Sequence, residues 1–394
     1  MTAVLDGVRV LDFGRYIAGP FCATLLADLG ADVIRIEKVD GGEDRWTQPV
    51  ASTGDGAGFM QWGRNKRGIT LNPRTADGQR ILQRLVKTAD IVIANLPPST
   101  LAEMGLDYAT LRSIKQDIIL TTATAFGGPG PYAERVGFDG VAQALSGNMH
   151  LTGDPDRPTK NFSPFVDYST AAFSAFGTLA ALLHRRETGE GQHVEASLLR
   201  SALTIMNATL IEQALLKKDR IATGNRGQTA APSDTFRTRD GWLLVSVVGN
   251  PLFERWARLM GEPHWSTDPR FSSDERRGDN GELISERMSR WCAERTSAEA
   301  IAELEVARIP CGEVLTPQGA LDNAHVRAAG LLASVEYPGL DAPAPVSTTP
   351  IRMSKTPPAI RHRAPTLGEH TDEVLTELGY SAADIERFRI ARVI

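Results

Sequence analysis

Through its first 127 residues the chain alternates short β-rich runs with helical stretches, and this alternation limits the fold more than any other feature. "VRVLDF" (8–13) leads through the loop "GRYIAGP" into the helical "FCATLLADLGA". "DVIRIEK" (32–38), "GITLNP" (68–73), "DIVIANLPP" (90–98) and "DIILTTATAFG" (117–127) follow, with the amphipathic "ADGQRILQRLVKTA" (76–89) between the second and third of these. Strands separated by helices of about 10–15 residues need crossovers rather than hairpins, which gives a parallel sheet with helices on its faces. The fold class expected is therefore α/β. Ligands of such a sheet sit outside the carboxyl ends of its strands.

From Ser163 the pattern changes. "STAAFSAFGTLAALLHRRETGEG" (169–191) reads as a long helix with Ala172, Ala175, Phe176, Leu179, Leu182 and Leu183 on one face, stopped by Gly189 and Gly191. "QHVEASL" (192–198) reads as a strand or an extended link into the helix "LLRSALTIMNATLIEQALL" (198–216). A polar linker, "TGNRGQTAAPSD", sets a boundary near Asn225, and "TFRTRDGWLLVSVV" reads as a hairpin on an Asp-Gly turn. The divisions expected are residues 1–224 for a large domain, 225–330 for a smaller α+β domain, and 331–394 for a return to the large one. The 394 residues suffice for this plan.

Composition removes several activities. A formal net charge of −5 argues against nucleic acid as the main partner. Cys22, Cys292 and Cys311 share no CxxC spacing and cannot all pair, which favours a reducing, cytoplasmic setting. The first residues show no basic segment followed by an apolar run, and no stretch of 18 apolar residues occurs, so neither a signal peptide nor a membrane span is expected. The scattered histidines form no HExxH or Cys/His pairing, so no metal is expected, and no GxSxG is present for an α/β-hydrolase.

The remaining candidates lie at strand ends and one helix start. Gly14 and Gly19 do not complete GxGxxG; Glu37 closes the second strand where a dinucleotide enzyme would hold a ribose. "GGPGP" (127–131) lacks the GK[ST] of a phosphate loop and reads as a rigid turn. The cluster "RNKR" (64–67), with Arg35 and Lys38, is either a solvated face or a grip for phosphates. Asp167, in "SPFVDYSTAAFSAFG" (163–177), is a lone acid at the start of the long helix. Ser163 and Pro164 could supply its cap and first position, and acids are favoured there for the dipole alone. A carboxylate so placed is expected to keep a low pKa and to stay charged at pH 7. It would suffice as a nucleophile towards a thioester, giving an acyl-aspartyl anhydride. The residues alone leave cap and nucleophile both open.

Six segments together resemble the class III CoA-transferase family, which includes formyl-CoA transferase and α-methylacyl-CoA racemase. They are "GVRVLDFGRYIAGPFCATLLADLGADVIRIEK", "RNKRGITLNP", "ADIVIANLPP", "VDYSTAAFSAFGTLAALLHRRETGEGQHVEASL", "TRDGWLLVSV" and "PTLGEHTDEVLTELGY", in family order along nearly the whole chain. The resemblance implies a Rossmann-like large domain built from both chain ends, a smaller middle domain, and an interlocked homodimer. It implies that Asp167 attacks the acyl-CoA thioester, and that released CoA then forms an aspartyl-CoA thioester. Acyl-CoA and a small carboxylic acid are the implied substrates, with no bound cofactor.

CoA contacts implied by the resemblance are the backbone at Ile17 and Ala18, the basic side chains Lys38 and Lys66, and Asn95 and Leu96 at a strand end. Arg135 is a plausible neighbour from a later loop. Glu103 stands where the family often has a basic residue. Gly249 and Asn250, in "VVGNP", occupy the place of a Gly-rich flap, and Arg15 could pair with a second carboxylate of a dicarboxylic substrate such as succinate. Racemase-type members carry a histidine where this chain has Phe138, so CoA transfer is expected ahead of racemisation. A non-catalytic CoA-binding protein is the third alternative.

Overall fold

In the computed structural model, which describes residues 3–394, the first segments form β1 (Arg9–Asp12), α1 (Ala18–Asp28), β2 (Asp32–Glu37), α2 (Ala57–Gly63), β3 (Lys66–Thr70), α3 (Ala76–Thr88), β4 (Ile91–Ala94), α4 (Pro98–Met104), α5 (Tyr108–Ile114) and β5 (Ile119–Thr124). Next come α6 (Asp139–Leu145), the two-residue strands β6 (Gly153–Asp154) and β7 (Arg157–Pro158), α7 (Phe165–Thr188), β8 (His193–Ser197) and α8 (Leu198–Leu216). "QHVEASL" is thus a strand rather than a link, since it finds an open edge beside β5. The six-stranded sheet runs β3–β2–β1–β4–β5–β8, and every neighbouring pair is parallel. The order reverses between β1 and β4, which makes that junction the switch point where a doubly wound sheet takes its ligand.

Successive strand side chains point to opposite faces. Val10, Val33, Ile91 and Ile93 pack with residues of α1, α2 and α7, whereas Leu11, Ile34 and Val92 pack with α3, α5 and the last two helices, Thr371–Glu377 and Ala382–Ile390. Both faces are therefore covered, as continuous hydrophobic strands require.

Charges run through the middle of this sheet. Lys66 Nζ, fully buried, lies 2.8 Å from Asp12 Oδ2 and donates to the Pro20 carbonyl at 2.7 Å. Arg35 lies 3.6 Å from Asp12 and pairs with Asp44 at 2.6 Å. Glu37 and Asp55 share Arg45 at 2.6 and 2.9 Å, and Arg64 holds Asp28 at 2.7 Å. The "RNKR" run is accordingly neither a solvated face nor a phosphate grip at Arg64 and Lys66, because each is committed to a buried acid. Glu37 has both carboxylate oxygens committed to Arg45 rather than free for a ribose. Burial opposes the charge on Asp12, yet Lys66 and Arg35 win and hold its carboxyl below the ordinary value.

α7 differs from the expected face. Its buried side is Val166, Thr170, Ala171, Ser174, Ala175, Thr178, Ala181 and Leu182, while Ala172, Phe176 and Leu183 are exposed. The helix is apolar around most of its circumference; its small side chains allow the close approach to α1 and the sheet, leaving the bulky ones outside. By length and composition it is the one described helix apolar enough to cross a membrane, with 44% of its most apolar window buried.

By its internal contacts the chain divides into two units. The first takes residues up to Ser146, Phe162–Ile211 and Arg327–Ile394; the second takes Gly147–Asn161 and Glu212–Val326. The second unit thus opens inside α8 and recruits the segment around β6 and β7, instead of starting at 225. It holds the antiparallel sheet β9 (Ser233–Arg237), β10 (Trp242–Ser246) and β11 (Cys311–Glu313), and the Asp-Gly hairpin forms between β9 and β10. α9 (Asn250–Leu259) follows that hairpin, and Trp256, Trp265 and Trp291 fill the unit's own core.

Removing one partner of a buried ion pair leaves an uncompensated charge, at a cost of about 3–5 kcal/mol. Lys66→Met is expected to destabilise the protein by about 3 kcal/mol, because Arg35 still faces Asp12. Urea unfolding at fixed protein concentration measures this, and an unchanged midpoint would show that the pair is dispensable.

Candidate active site

The loop between β1 and α1 lies at the switch point, and its path is set from both sides. Gly14 is required by space: a Cβ there would meet Pro20 Cδ at 2.6 Å and Asp12 Oδ1 at 2.9 Å. The Gly14 N–H donates to Asp12 Oδ1 at 2.8 Å. Asn95, just beyond β4, clasps the loop with its amide: Oδ1 accepts the Arg15 N–H at 2.5 Å, and Nδ2 donates to the Arg15 carbonyl at 2.7 Å. Tyr16 then takes φ +58°, a conformation rare for a residue with a side chain. Ile17 is the N-cap residue of α1 and makes no side-chain cap bond, so the first-turn amides of α1 are not claimed by it. Ala18 is buried beside Val166 and Ala142.

Outside the carboxyl ends of β1, β2, β3 and β4 opens a crevice of about 560 Å³, lined by Phe13, Ile36, Leu71, Leu96, Thr100 and Met104 and by the cations Arg15, Lys38, Arg74 and Arg392. That volume falls within the range of small-molecule sites. Three cations carry acid partners: Lys38 with Glu43 at 2.6 Å, Arg392 with Asp40 at 2.6 Å, and Arg74 with Glu103 at 3.5 Å. These are surface pairs, each worth little in water. Arg15 is different. Its Nη1 is buried without a hydrogen bond, 3.9 Å from Asp44. A larger cavity, about 1010 Å³, opens at the amino ends of β2 and β3 around Asp32, Arg361 and His370. The carboxyl-end crevice is the better ligand site, since the switch point and the clasped loop both lie there.

Of the residues expected to meet CoA, Lys38 and Leu96 line this crevice, joined by Arg15, which had been expected on the acyl side. Lys66 does not, because its ammonium is spent on Asp12 and Pro20. Asn95 has its whole side-chain amide committed to the loop, so it shapes the site rather than meeting a ligand through that group. Arg135 is exposed and stacks on Tyr132, its guanidinium carbon 4.3 Å from the ring centroid. Sequence reasoning missed Arg74 and Arg392. Arg74 follows β3 much as Lys38 follows β2, a signal present in the sequence; Arg392 arrives only through the return of the C-terminus. In the second unit, Gly249 takes φ +85° at the N-cap of α9, and Asn250 Oδ1 accepts from Arg277 at 2.9 Å.

Asp167 sits half-buried in the first turn of α7. Pro164, rather than Ser163, is the N-cap residue, and it makes no side-chain cap bond. The exposed helix amides are taken by Asp139: its Oδ2 accepts the N–H of Val166 at 2.7 Å and of Asp167 at 3.1 Å. Asp167 itself therefore caps nothing, and no described residue donates to its side-chain oxygens. Burial pushes its carboxyl up to about 7, and the charge of Asp139 adds to the rise. The low value expected from the helix dipole is overturned, because burial outweighs the dipole and the charge of Asp139 adds to the rise. Nearby, the exposed ring of Phe138, the N-cap residue of α6, meets Tyr16 edge-on, centroids 5.3 Å apart.

Residues 5–371 match CoA-transferase family III. The chain is 34% identical over 399 residues to a succinyl-CoA–D-citramalate CoA-transferase of Chloroflexus aurantiacus, covering 99% of this chain and 98% of that one. It is 32% identical to a succinate–glutarate CoA-transferase of Agrobacterium fabrum, covering 95% of both. A crystal structure of a CAIB/BAIF family protein from Brucella suis superposes with a TM-score of 0.82 at 32% identity, over 96% of this chain and 100% of that one. The chain belongs to the class III CoA-transferase family and is a CoA-transferase.

Proposed function

We propose that the protein moves CoA from a dicarboxylic acyl-CoA, succinyl-CoA in the first instance, to a free dicarboxylic acid, through covalent chemistry at Asp167. The observation that carries this reading is a half-buried carboxylate, free of hydrogen bonds and raised to about 7, at the mouth of α7. Relatives named for citramalate, malate, glutarate and mesaconate support the substrate class.

The carboxylate of Asp167 attacks the thioester carbonyl, the C–S bond breaks, and CoA leaves as thiolate. The thiolate then attacks the aspartyl carbonyl of the anhydride, releasing the donor acid and leaving an aspartyl-CoA thioester. The acceptor carboxylate displaces CoA from this thioester, and the returning thiolate takes the acyl group from the second anhydride, which frees Asp167. No net proton is consumed. A carboxylate with raised basicity is a better attacking group than an ordinary one. In this reading the adenosine phosphates of CoA lie in the crevice, where Lys38, Arg74 and Arg392 exchange their exposed acid partners for phosphate. Arg15 lines the same crevice and adds positive charge to it. Asp139 is not a second base for racemisation, since its oxygens are held by two backbone amides and by Gln143.

The working species in this proposal is an interlocked homodimer in a reducing cytoplasm, consistent with three free thiols. Its support is the apolar surface that the first unit leaves open: Phe173, Phe176 and Leu183 on α7, with Ile205 and Ile211 on α8. A dimer mass is expected from sedimentation, with Phe176→Glu displacing it towards the monomer; a wild-type monomer would overturn the assembly.

Asp167→Ala is expected to lower succinyl-CoA-dependent transfer by at least 10³-fold while CoA still binds. Hydroxylamine should trap the wild-type aspartyl thioester and find nothing in the variant; transfer at the wild-type rate would remove Asp167 from the mechanism. Because the carboxylate is the active form, kcat/KM should rise with pH through about 7 and then level off.

The same shift governs stability. The folded protein binds this proton more tightly than the unfolded chain does, so stability present below about pH 4 is lost as pH rises through about 7. Asp167→Asn should therefore be about 2–4 kcal/mol more stable than wild type at pH 8 and equal to it near pH 4. A destabilised variant at pH 8 would return Asp167 to a structural role.

A further inference from the structure

Asp139 occupies the one place from which both the position and the charge state of Asp167 can be controlled. It is the first residue of α6, is only 5% exposed, and is itself no neighbour of Asp167 in sequence. One oxygen, Oδ2, receives the two amides that open α7; the other, Oδ1, receives the side-chain amide of Gln143 one turn along α6. All three donors are hydrogen-bonded to this one buried carboxylate. The Asp167 N–H is thus fastened to Asp139, which fixes the backbone from which the Asp167 side chain projects. The amides that a first-turn carboxylate could have turned to are already taken, so Asp167's oxygens stay unbonded.

We infer that Asp139 is a positioning residue for CoA transfer: it holds the first turn of α7 in place and denies Asp167 the helix-end stabilisation that would blunt it as a nucleophile. This inference rests on Asp167 being the attacking group. Charge supports the geometry. The like charge of Asp139 adds to burial in raising Asp167, and no other ionisable group acts on Asp167 through its charge among the described residues. Tyr168, next along α7, is itself pushed up by burial and by Asp167, with Arg64 opposing. Asp139 touches no reacting atom in this scheme; its effect passes through Asp167.

Two substitutions separate the parts of this role. Asp139→Asn keeps an oxygen acceptor for the two amides and removes the charge; Asp139→Ala removes both. The readouts are the ¹³C carboxyl titration of Asp167, assigned by its loss in Asp167→Asn, and the pH profile of transfer from succinyl-CoA. In Asp139→Asn the Asp167 midpoint should fall by at least one pH unit, and the acid limb of kcat/KM should move with it. Its kcat at pH 8 should fall about threefold with KM unchanged, whereas Asp139→Ala should lose at least 30-fold in kcat. An Asp167 titration that is the same in wild type and Asp139→Asn would overturn the inference, as would an Asn variant no better than Ala. If the titration moves and the rate profile does not, Asp139's hold on Asp167 stands and the nucleophile reading fails instead.

Discussion

Asp12 is the interaction on which the rest of the structure turns. It ends β1 at the centre of the sheet, and its two oxygens tie together four separate pieces of chain. Oδ1 takes the Gly14 amide and so bends the loop; Oδ2 takes Lys66 from β3, with Arg35 of β2 alongside. Lys66 in turn reaches the Pro20 carbonyl in α1. A buried carboxylate needs partners of this kind, and partners drawn from two neighbouring strands and the loop itself, with Lys66 reaching on to α1, leave the switch-point loop little freedom. The clasp by Asn95 completes the restraint from the fourth strand. The arrangement sets the path of the loop that lies at the switch point.

The sheet was readable because its signal is local. Each strand is a short apolar run flanked by turn residues, and their spacing excludes hairpins; β1, β2, β4 and β5 each fall inside the run that announced them. Asp167 was visible as a candidate for the same reason, although only the resemblance moved it ahead of a cap. What could not be read was pairing at a distance. Whether Lys66 meets phosphate or Asp12 depends on a partner 54 residues away, and the carboxylate that caps α7 stands 28 residues before it. A run such as "RNKR" carries its charge openly but not its direction. The face of α7 failed for another reason: a helix apolar on all sides gives periodicity no contrast to read.

The two carboxylates at the start of α7 illustrate how one environment yields opposite behaviours. Asp139 has donors on both oxygens. Asp167, in the first turn of α7, has none and is raised by burial and by its neighbour. Here the amides at the start of α7 go to Asp139 rather than to Asp167. Burial first, and the neighbouring charge second, explain why the dipole argument, sound in general, gave the wrong sign for Asp167.

The acid partners on the crevice rim have a consequence for how ligand arrives. Glu43, Asp40 and Glu103 offset Lys38, Arg392 and Arg74 before anything binds, and the whole chain is acidic. The crevice therefore projects little positive potential beyond a Debye length, about 8 Å at physiological salt. Polyanions in general are not drawn to it from afar. On the proposed reading, in which phosphates of CoA displace those acids, selection rests on fit at contact rather than on electrostatic steering.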